Sequence, residues 1–286
     1  MTGELVDLFP DRQTGVERLL ATLATVWPDA GVAVWAGQRG FVVPGAAHGL
    51  APEIASANWL ASAALTARRV GEGLFVDMGS TTTDVVVLAR GAVLAEGGTD
   101  RERLATGELV YTGLTRTPVM ALAAEAPFAG RRVAVMNELF ATTADLYRVL
   151  DLLPEAADQH DAADRGPKTV EASARRLARM LGADLADGSP ADWHRLAAVL
   201  ARAQQRRIED AAALQLSRGL LADAAPVIGA GCGRFLVAEL AKRLGRPYRD
   251  FAQLVGAEDS ARDWAATCAP AVAVALLLAE GGQEHG

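Results

Sequence analysis

Lysine is nearly missing from this chain. Only Lys168 and Lys242 occur among 28 basic side chains in 286 residues, which leaves few candidates for lysine catalysis. No Walker-type lysine loop is present, and the four histidines fall into no Ser-His-Asp arrangement. Cysteine is as scarce: Cys232 and Cys268 make no disulfide framework and point to a reducing, cytoplasmic setting. No apolar run reaches membrane-spanning length. Pro270 to Ala279 is apolar but only about half of what a bilayer requires, and the opening Met1-Thr-Gly-Glu-Leu lacks the basic region of a signal peptide. A soluble protein with no membrane partner is expected. The net charge of −7 lacks the basic face that nucleic-acid binding wants, and no repeat or low-complexity tract appears.

What is present is a globular composition, 51% hydrophobic and 22% charged, with length enough for one large core or two modest lobes. The chain is organised around Gly73 to Leu88. Leu74-Phe75-Val76 and Val85-Val86-Val87-Leu88 have the β-branched and aromatic content of buried strands. Between them stand Asp77, Gly79, Ser80, Thr81, Thr82, Thr83 and Asp84. Gly79 lets backbone approach a ligand, and successive N–H groups in such a turn face an anion. The carboxylates are suited to a divalent cation that neutralises phosphate oxygens. A plain Ser/Thr-rich hairpin turn is the competing reading.

Before this hairpin, residues 1–13 read as a strand end. A helix follows, capped by Thr14 with Glu17. Val32–Trp35 and Gly40–Val43 read as a hairpin or as two short strands, and Pro52–Val70 as one helix on which Asn58 faces either solvent or a cleft. After it, Gly91–Leu94 adds a third strand, Val133–Met136 a buried strand running into Asn137-Glu138, and a helix begins near Thr142 with Asp145 in its first turn. From Pro154 to Ala224 the strand signal disappears. Helices are predicted over Val170–Leu181 and from the Ser189-Pro190 cap onward. The Asp158, His160, Asp161, Asp164 loop reads as a metal site or a solvated connection, the latter favoured because no firm metal-ligand spacing is present. Pro226-Val-Ile228 restarts the sheet and leads through Gly229, Gly231 and Gly233 into a helix. That is either an anion seat at a helix N-terminus or close helix–sheet packing. It is not the dinucleotide fingerprint, because Arg234 stands where its third glycine would fall.

Two such turns on one sheet, separated by a helical insertion, resemble the second lobe of the actin-like, sugar-kinase and heat-shock ATPase superfamily. Asp77-Met-Gly-Ser-Thr-Thr-Thr-Asp84 resembles the signature of its hydantoinase/oxoprolinase group. Met1–Phe9, Ala57-Asn58-Trp59, Tyr111–Pro118, Asn137–Asp145 and Gly229–Gly233 are similar to the branch linked to tetrahydromethanopterin-dependent one-carbon transfer. The resemblance implies an α/β, actin-like or ribonuclease H-like two-lobe fold with mixed sheets and a helical insertion. Residues 1–70 would be the remainder of a first lobe truncated at its N-terminus, because the family's opening Asp-Gly-Gly turn is missing. Residues 71–286 would be the second lobe, with the phosphate turn at 77–84, the insertion at about 154–224 and the glycine turn at 229–233.

It also implies an activity: condensation of an aminomethyl-furan-methyl diphosphate with the phenol oxygen of a γ-glutamyl-tyramine or tyrosine-type acceptor, with release of diphosphate. Ser80, Thr81, Thr82, Thr83, Gly79, Arg116, Gly229, Gly231 and Gly233 would bind diphosphate. Asp77 and Asp84 would hold Mg²⁺, and Glu138 or Asp145 would take the phenol proton. Asn58, Thr112, Gly113 and Asn137, within the shared stretches, would contact substrate. Small molecules are the expected partners, with self-association left open. The alternatives are an ATP-dependent hydantoinase- or oxoprolinase-type enzyme, a small-molecule kinase, or a nucleotide-binding scaffold without turnover.

Overall fold

The computed structural model describes residues 8–28 and 31–283, so most of the strand expected over residues 1–13 lies outside the described residues. The first helix, α1 (Arg12–Val26), is capped by Asp11, whose carboxylate accepts from the Thr14 N–H. Thr14 therefore lies inside the helix, and the expected cap moves three residues upstream. The short strands β1 (Val34–Trp35) and β2 (Phe41–Val42) pair antiparallel as the expected hairpin. The helix predicted over Pro52–Val70 is two pieces, α2 (Ala51–Ile54) and α3 (Asn58–Val70). Ser56, in the left-handed region at φ 55°, breaks it.

The central sheet has six strands. Strand β3 (Gly73–Met78) pairs antiparallel with β4 (Thr83–Ala89), which also carries the two-residue β5 (Ala92–Val93). Next come α4 (Asp100–Thr106), closed by a Thr99–Glu102 capping box, and β6 (Leu109–Val110), which joins β4. The strand expected at Val133–Met136 is not part of this sheet. It is β8 (Arg131–Ala134), paired with β7 (Glu125–Phe128) in a separate, largely exposed hairpin. Its arginines at 131 and 132 keep it out of the core.

Helix α5 (Thr143–Val149) starts at Thr142 in a capping box with Asp145. Then α6 (Val170–Met180) and the 27-residue α7 (Pro190–Leu216), capped by Ser189, form the helical insertion. The chain returns through β9 (Val227–Ala230), parallel to β3, into α8 (Arg234–Arg243). It adds β10 (Tyr248–Asp250), parallel to β9, and ends in α9 (Phe251–Leu254), α10 (Arg262–Thr267) and α11 (Ala269–Gln283). This is an α/β fold with mixed sheets and a helical insertion. Among the described residues no helix is long and apolar enough to cross a membrane.

Both faces of the sheet are buried, which is why β3 and β4 read as continuous apolar runs instead of alternating. Leu74, Val76, Met78, Val85 and Val87 point toward α7 and α8, packing on Ile208, Leu236 and Leu240. Phe75, Val86, Leu88 and Ile228 point the other way, onto Trp59 and Leu65 of α3 and Ala273 of α11. Helix α3, within residues 1–70, thus packs directly on this sheet. A third core gathers Leu177, Trp193 and Leu200 of the insertion with Leu146 of α5.

Candidate functional site

The strand period decides what the polar turn can do. Asp77 and Asp84 are directly opposite across β3 and β4, so both lie on the α3 face, while Met78 and Thr83, one residue inward, lie on the α7/α8 face. Asp77 is 6% exposed. Among the described residues its carboxylate has neither a hydrogen-bond donor nor a cation beside it. Burial first, and the Asp84 charge second, hold its pKa well above the ordinary carboxylate value.

Asp84 is partnered. The Arg103 guanidinium donates to its Oδ1 at 2.5 Å and to the Glu108 carbonyl at 3.2 Å. The same guanidinium lies 3.8 Å over the Trp59 ring. Burial still raises the Asp84 pKa, with Arg103 opposing it. Arg103 is a neighbour of the candidate site that the sequence reading missed, because residues 101–109 carry no motif. Its capping box at Thr99 was the available signal. Asn58 starts α3 half-buried, one residue before Trp59.

Gly79 N–H donates to the Thr82 carbonyl at 2.9 Å, closing a tight turn that leaves Ser80, Thr81 and Thr82 half-exposed. The 112–117 loop holds this turn: the N–H groups of Thr115 and Arg116 donate to the Ser80 carbonyl, and that of Leu114 to Gly79. A Cβ on Gly113 would stand 2.5 Å from the Ser80 carbonyl carbon and the Thr81 nitrogen, so only glycine permits this contact. Behind it runs a buried network. Gln204 donates to Thr112 Oγ1 (2.8 Å) and the Gly113 carbonyl (2.7 Å), Tyr147 donates to Gln204 (2.6 Å), and Thr143 donates to the Gly113 carbonyl (3.0 Å). Thr112 and Gly113 thus support the turn from behind and offer no free group to a substrate.

Thr83 belongs to that support and not to the turn's open face. Its hydroxyl is fully buried and donates to the Thr112 carbonyl at 2.8 Å. Thr83→Val is expected to leave that carbonyl unpaired and cost about 1–3 kcal/mol in a urea titration. Arg116, in contrast, is exposed beside the turn with no ion-pair partner among the described residues.

The glycines after β9 answer to packing. Gly231 has φ +82°, and a Cβ there would meet the Met78 carbonyl oxygen at 2.2 Å and Asp77 Oδ1 at 2.5 Å. Gly233 abuts the Met78 side chain and Gly229 the Tyr248 ring. Two of the turn's N–H groups are already committed, Gly231 to the Ala266 carbonyl of α10 and Gly233 to the Met78 carbonyl of β3, and these two are not free for the expected anion seat. Cys232 between them has its thiol pKa pushed up to about 11 by burial and the Asp77 charge. It stays protonated at neutral pH.

Of the two proposed proton acceptors, Asp145 lines a cavity together with Thr115 and Arg116. Asp145 is buried and saturated: it accepts from Arg176 (2.8 Å), Ser173 (2.7 Å) and the Thr142 N–H (3.0 Å). Asn137 and Glu138 are exposed on the loop after β8. In the His160 loop, Asp158 pairs with Arg148 and Asp164 with Arg176, and the described residues contain no group of three or more metal-ligating side chains. The centre is therefore Asp77, with Asp84 beside it and the Ser80–Thr82 turn beyond.

The sequence profile of the hydantoinase/oxoprolinase family matches residues 1–277. The chain belongs to the hydantoinase/oxoprolinase family. Among relatives of this family member, the (4-{4-[2-(γ-L-glutamylamino)ethyl]phenoxymethyl}furan-2-yl)methanamine synthase of Methanocaldococcus jannaschii is 35% identical over 185 residues, 64% of this chain and 56% of that protein. The identically named protein of Methanococcus vannielii is 38% identical over 112 residues, 39% of this chain and 50% of that one. The matched part thus spans about half the length of these relatives. A nucleotide-free structure of acetone carboxylase, from work on ATP-dependent acetone carboxylation, superposes with a TM-score of 0.55 at 12% identity. It covers 81% of this chain and 35% of that one, and the likeness shows the fold alone.

Proposed function

We propose that this hydantoinase/oxoprolinase-family chain serves methanofuran-type cofactor biosynthesis as an alkyl transferase. It would join an aminomethyl-furan-methyl diphosphate to the phenol oxygen of a γ-glutamyl-tyramine or tyrosine-type acceptor. The phenol oxygen forms a bond to the furan methylene carbon while the bond from that carbon to the diphosphate oxygen breaks. The electron pair leaves with diphosphate, and the phenol proton passes to solvent or to a base. The observation that carries the reading is the buried Asp77 carboxylate, unpartnered among the described residues, beside a half-exposed hydroxyl turn, in a chain similar to two proteins named for a phenoxymethyl-furan methanamine product.

The electron-rich furan ring helps the carbon–oxygen bond break, so the protein's task is to bind and neutralise the leaving group. Ser80, Thr81 and Thr82 offer hydroxyl donors, and Arg116 adds a charged one. A buried carboxylate without a partner is costly, and a cation in contact with Asp77 would relieve that cost. This donor set fits Mg²⁺, which is commonly held by one or two carboxylates together with substrate phosphates. When bound, the ion would supply charge neutralisation at the phosphate oxygens. Asp84, held by Arg103, would orient water at the cation more readily than swing onto it.

Incubation of the protein with the furan-methyl diphosphate, a tyrosine-type acceptor and Mg²⁺ tests this directly. Acceptor-dependent diphosphate release with ether product is the expected result, and diphosphate release that ignores the acceptor sinks the transferase reading. Arg116→Ala is expected to raise KM for the diphosphate donor about tenfold with a smaller change in kcat, as for an exposed charge-assisted contact made equally in ground and transition states.

A further inference from the structure

A cavity of about 280 Å³ opens where the Thr115–Pro118 loop meets the start of α5 and the loop at 158–163. It is just under the size of sites for drug-sized ligands and has room for one small group. No residue of the 77–84 turn lines it. Its Thr115 and Arg116 wall is nevertheless bonded to that turn, because both N–H groups donate to the Ser80 carbonyl, at 3.1 and 2.9 Å.

Thr115 is 3% exposed. Its N–H goes to Ser80 and its carbonyl accepts from the Ala144 N–H at 3.3 Å, which leaves the hydroxyl. Among the described residues Thr115 Oγ1 has no hydrogen-bond partner. Buried polar atoms in folded proteins are nearly all paired, so an orphan beside a cavity points to something that the cavity holds. A hydroxyl proton rotates to suit its acceptor, and no backbone movement is needed to meet one.

The charges of the lining give the sign of that occupant. Asp145 is held by Arg176 at 2.8 Å and lies 3.7 Å from Arg148. Asp158 pairs with Arg148 and, at 3.4 Å, with Lys168. Arg176 also holds Asp164. These carboxylates are already neutralised, and a cationic ligand would be left with Asp161, which is exposed. Arg116 is the lining cation without an ion-pair partner among the described residues, and it adjoins the orphaned hydroxyl. An oxyanion therefore finds two uncommitted donors on consecutive residues, one of them charged.

We propose that this cavity is a phosphate seat, in which Thr115 Oγ1 and the Arg116 guanidinium donate to the oxygens of one phosphate group. The inference rests on the transferase reading for the source of that group, a diphosphate. It goes beyond that reading by adding Thr115 and a second oxyanion position next to the hydroxyl turn.

Calorimetric titration of the intact chain with inorganic diphosphate in Mg²⁺-free buffer tests it, because diphosphate beside the Asp77 carboxylate requires the cation and that site stays silent. Thr115→Val is expected to weaken diphosphate about tenfold, the size of one hydrogen bond to a charged group, and Arg116→Ala by a similar factor. Thr115→Ser keeps the hydroxyl and is expected to keep the affinity within about twofold. Thr115→Val should also melt no lower than the parent, since no bond within the protein is lost. Absence of diphosphate binding overturns the proposal, as does binding that Thr115→Val leaves unchanged. A Thr115→Val protein that melts several degrees lower while Thr115→Ser does not would show that the hydroxyl serves the fold, which overturns it too. Tighter binding of L-glutamate than of diphosphate assigns the cavity to a carboxylate and has the same effect. Acceptor-dependent diphosphate release that persists in any of these cases leaves the transferase reading standing. Mg²⁺-free binding that responds to the variants, in a protein that shows no transfer, counts against that reading alone.

Discussion

Asp77→Asn is expected to reduce acceptor-dependent diphosphate release by about 10³-fold or more, the scale on which a pre-placed charge in a dry site acts. The same variant is expected to melt higher than the parent. The parent buries a carboxylate with no partner among the described residues, beside a second carboxylate directly across the strand pair, and the amide removes that repulsion at nearly the same volume. A gain of 1 kcal/mol corresponds to roughly 3 °C in a chain of this size. The sign with pH follows from the raised pKa. The folded state holds the Asp77 proton more tightly than the unfolded state does, so this contribution to stability is complete below the unfolded carboxylate pKa. It is lost as pH rises through the folded value. Metal-free parent protein should therefore lose part of its melting temperature over that window, and the Asn variant should not. A parent and variant with superimposable melting-versus-pH curves would show that Asp77 is not buried as a charge. Full turnover by the variant would remove Asp77 from the mechanism.

Gly231→Ala is expected to be the most damaging single methyl group in the chain. The backbone there has φ +82° and the new carbon would lie 2.2 Å from the Met78 carbonyl oxygen. Neither atom is at the end of a flexible side chain, so relief requires β9 to move off β3 and breaks the bond from the Gly233 N–H to Met78. Left-handed strain and overpacking each cost about 1–3 kcal/mol, and their sum of about 4 kcal/mol is a large part of the stability of an ordinary domain. Urea denaturation measures it. A loss below about 1 kcal/mol would mean that the two strands are not in contact at this turn.

The hairpin at 73–89 and the strand–glycine–helix unit at 226–243 were legible because their signals are local: β-branched runs, a polar turn between them, a strand ending in glycines. Helix α7 was legible through its Ser189-Pro190 cap and α5 through its first-turn Asp145. What escaped is what depends on partners distant in sequence. Whether Thr83 faces a ligand or the core is set by strand parity and by the Thr112 carbonyl that meets it. Arg103 gains its importance from Asp84 and Trp59, neither adjacent in sequence. Asp145 was recognised as a first-turn acid, but Arg176 and Ser173, from a helix that begins 25 residues later, consume it. Strand β10 was missed because Tyr248-Arg249-Asp250 is too short and polar to show a period, and pairing with β9 makes it a strand. The Val133 run misled for the opposite reason, since its apolar residues sit in a two-stranded hairpin outside the main sheet.

Helix α7 contributes to two cores at once. Its first turns supply Trp193, Leu196 and Leu200 to the insertion, and its later turns supply Ala201, Ile208 and Ala212 to the sheet. A helix propagates its hydrogen bonds cooperatively, so neither half can melt without fraying the anchor of the other. Amides in the insertion and amides in β3 and β4 should then exchange with solvent through the same global opening, and the protein should unfold as a single unit.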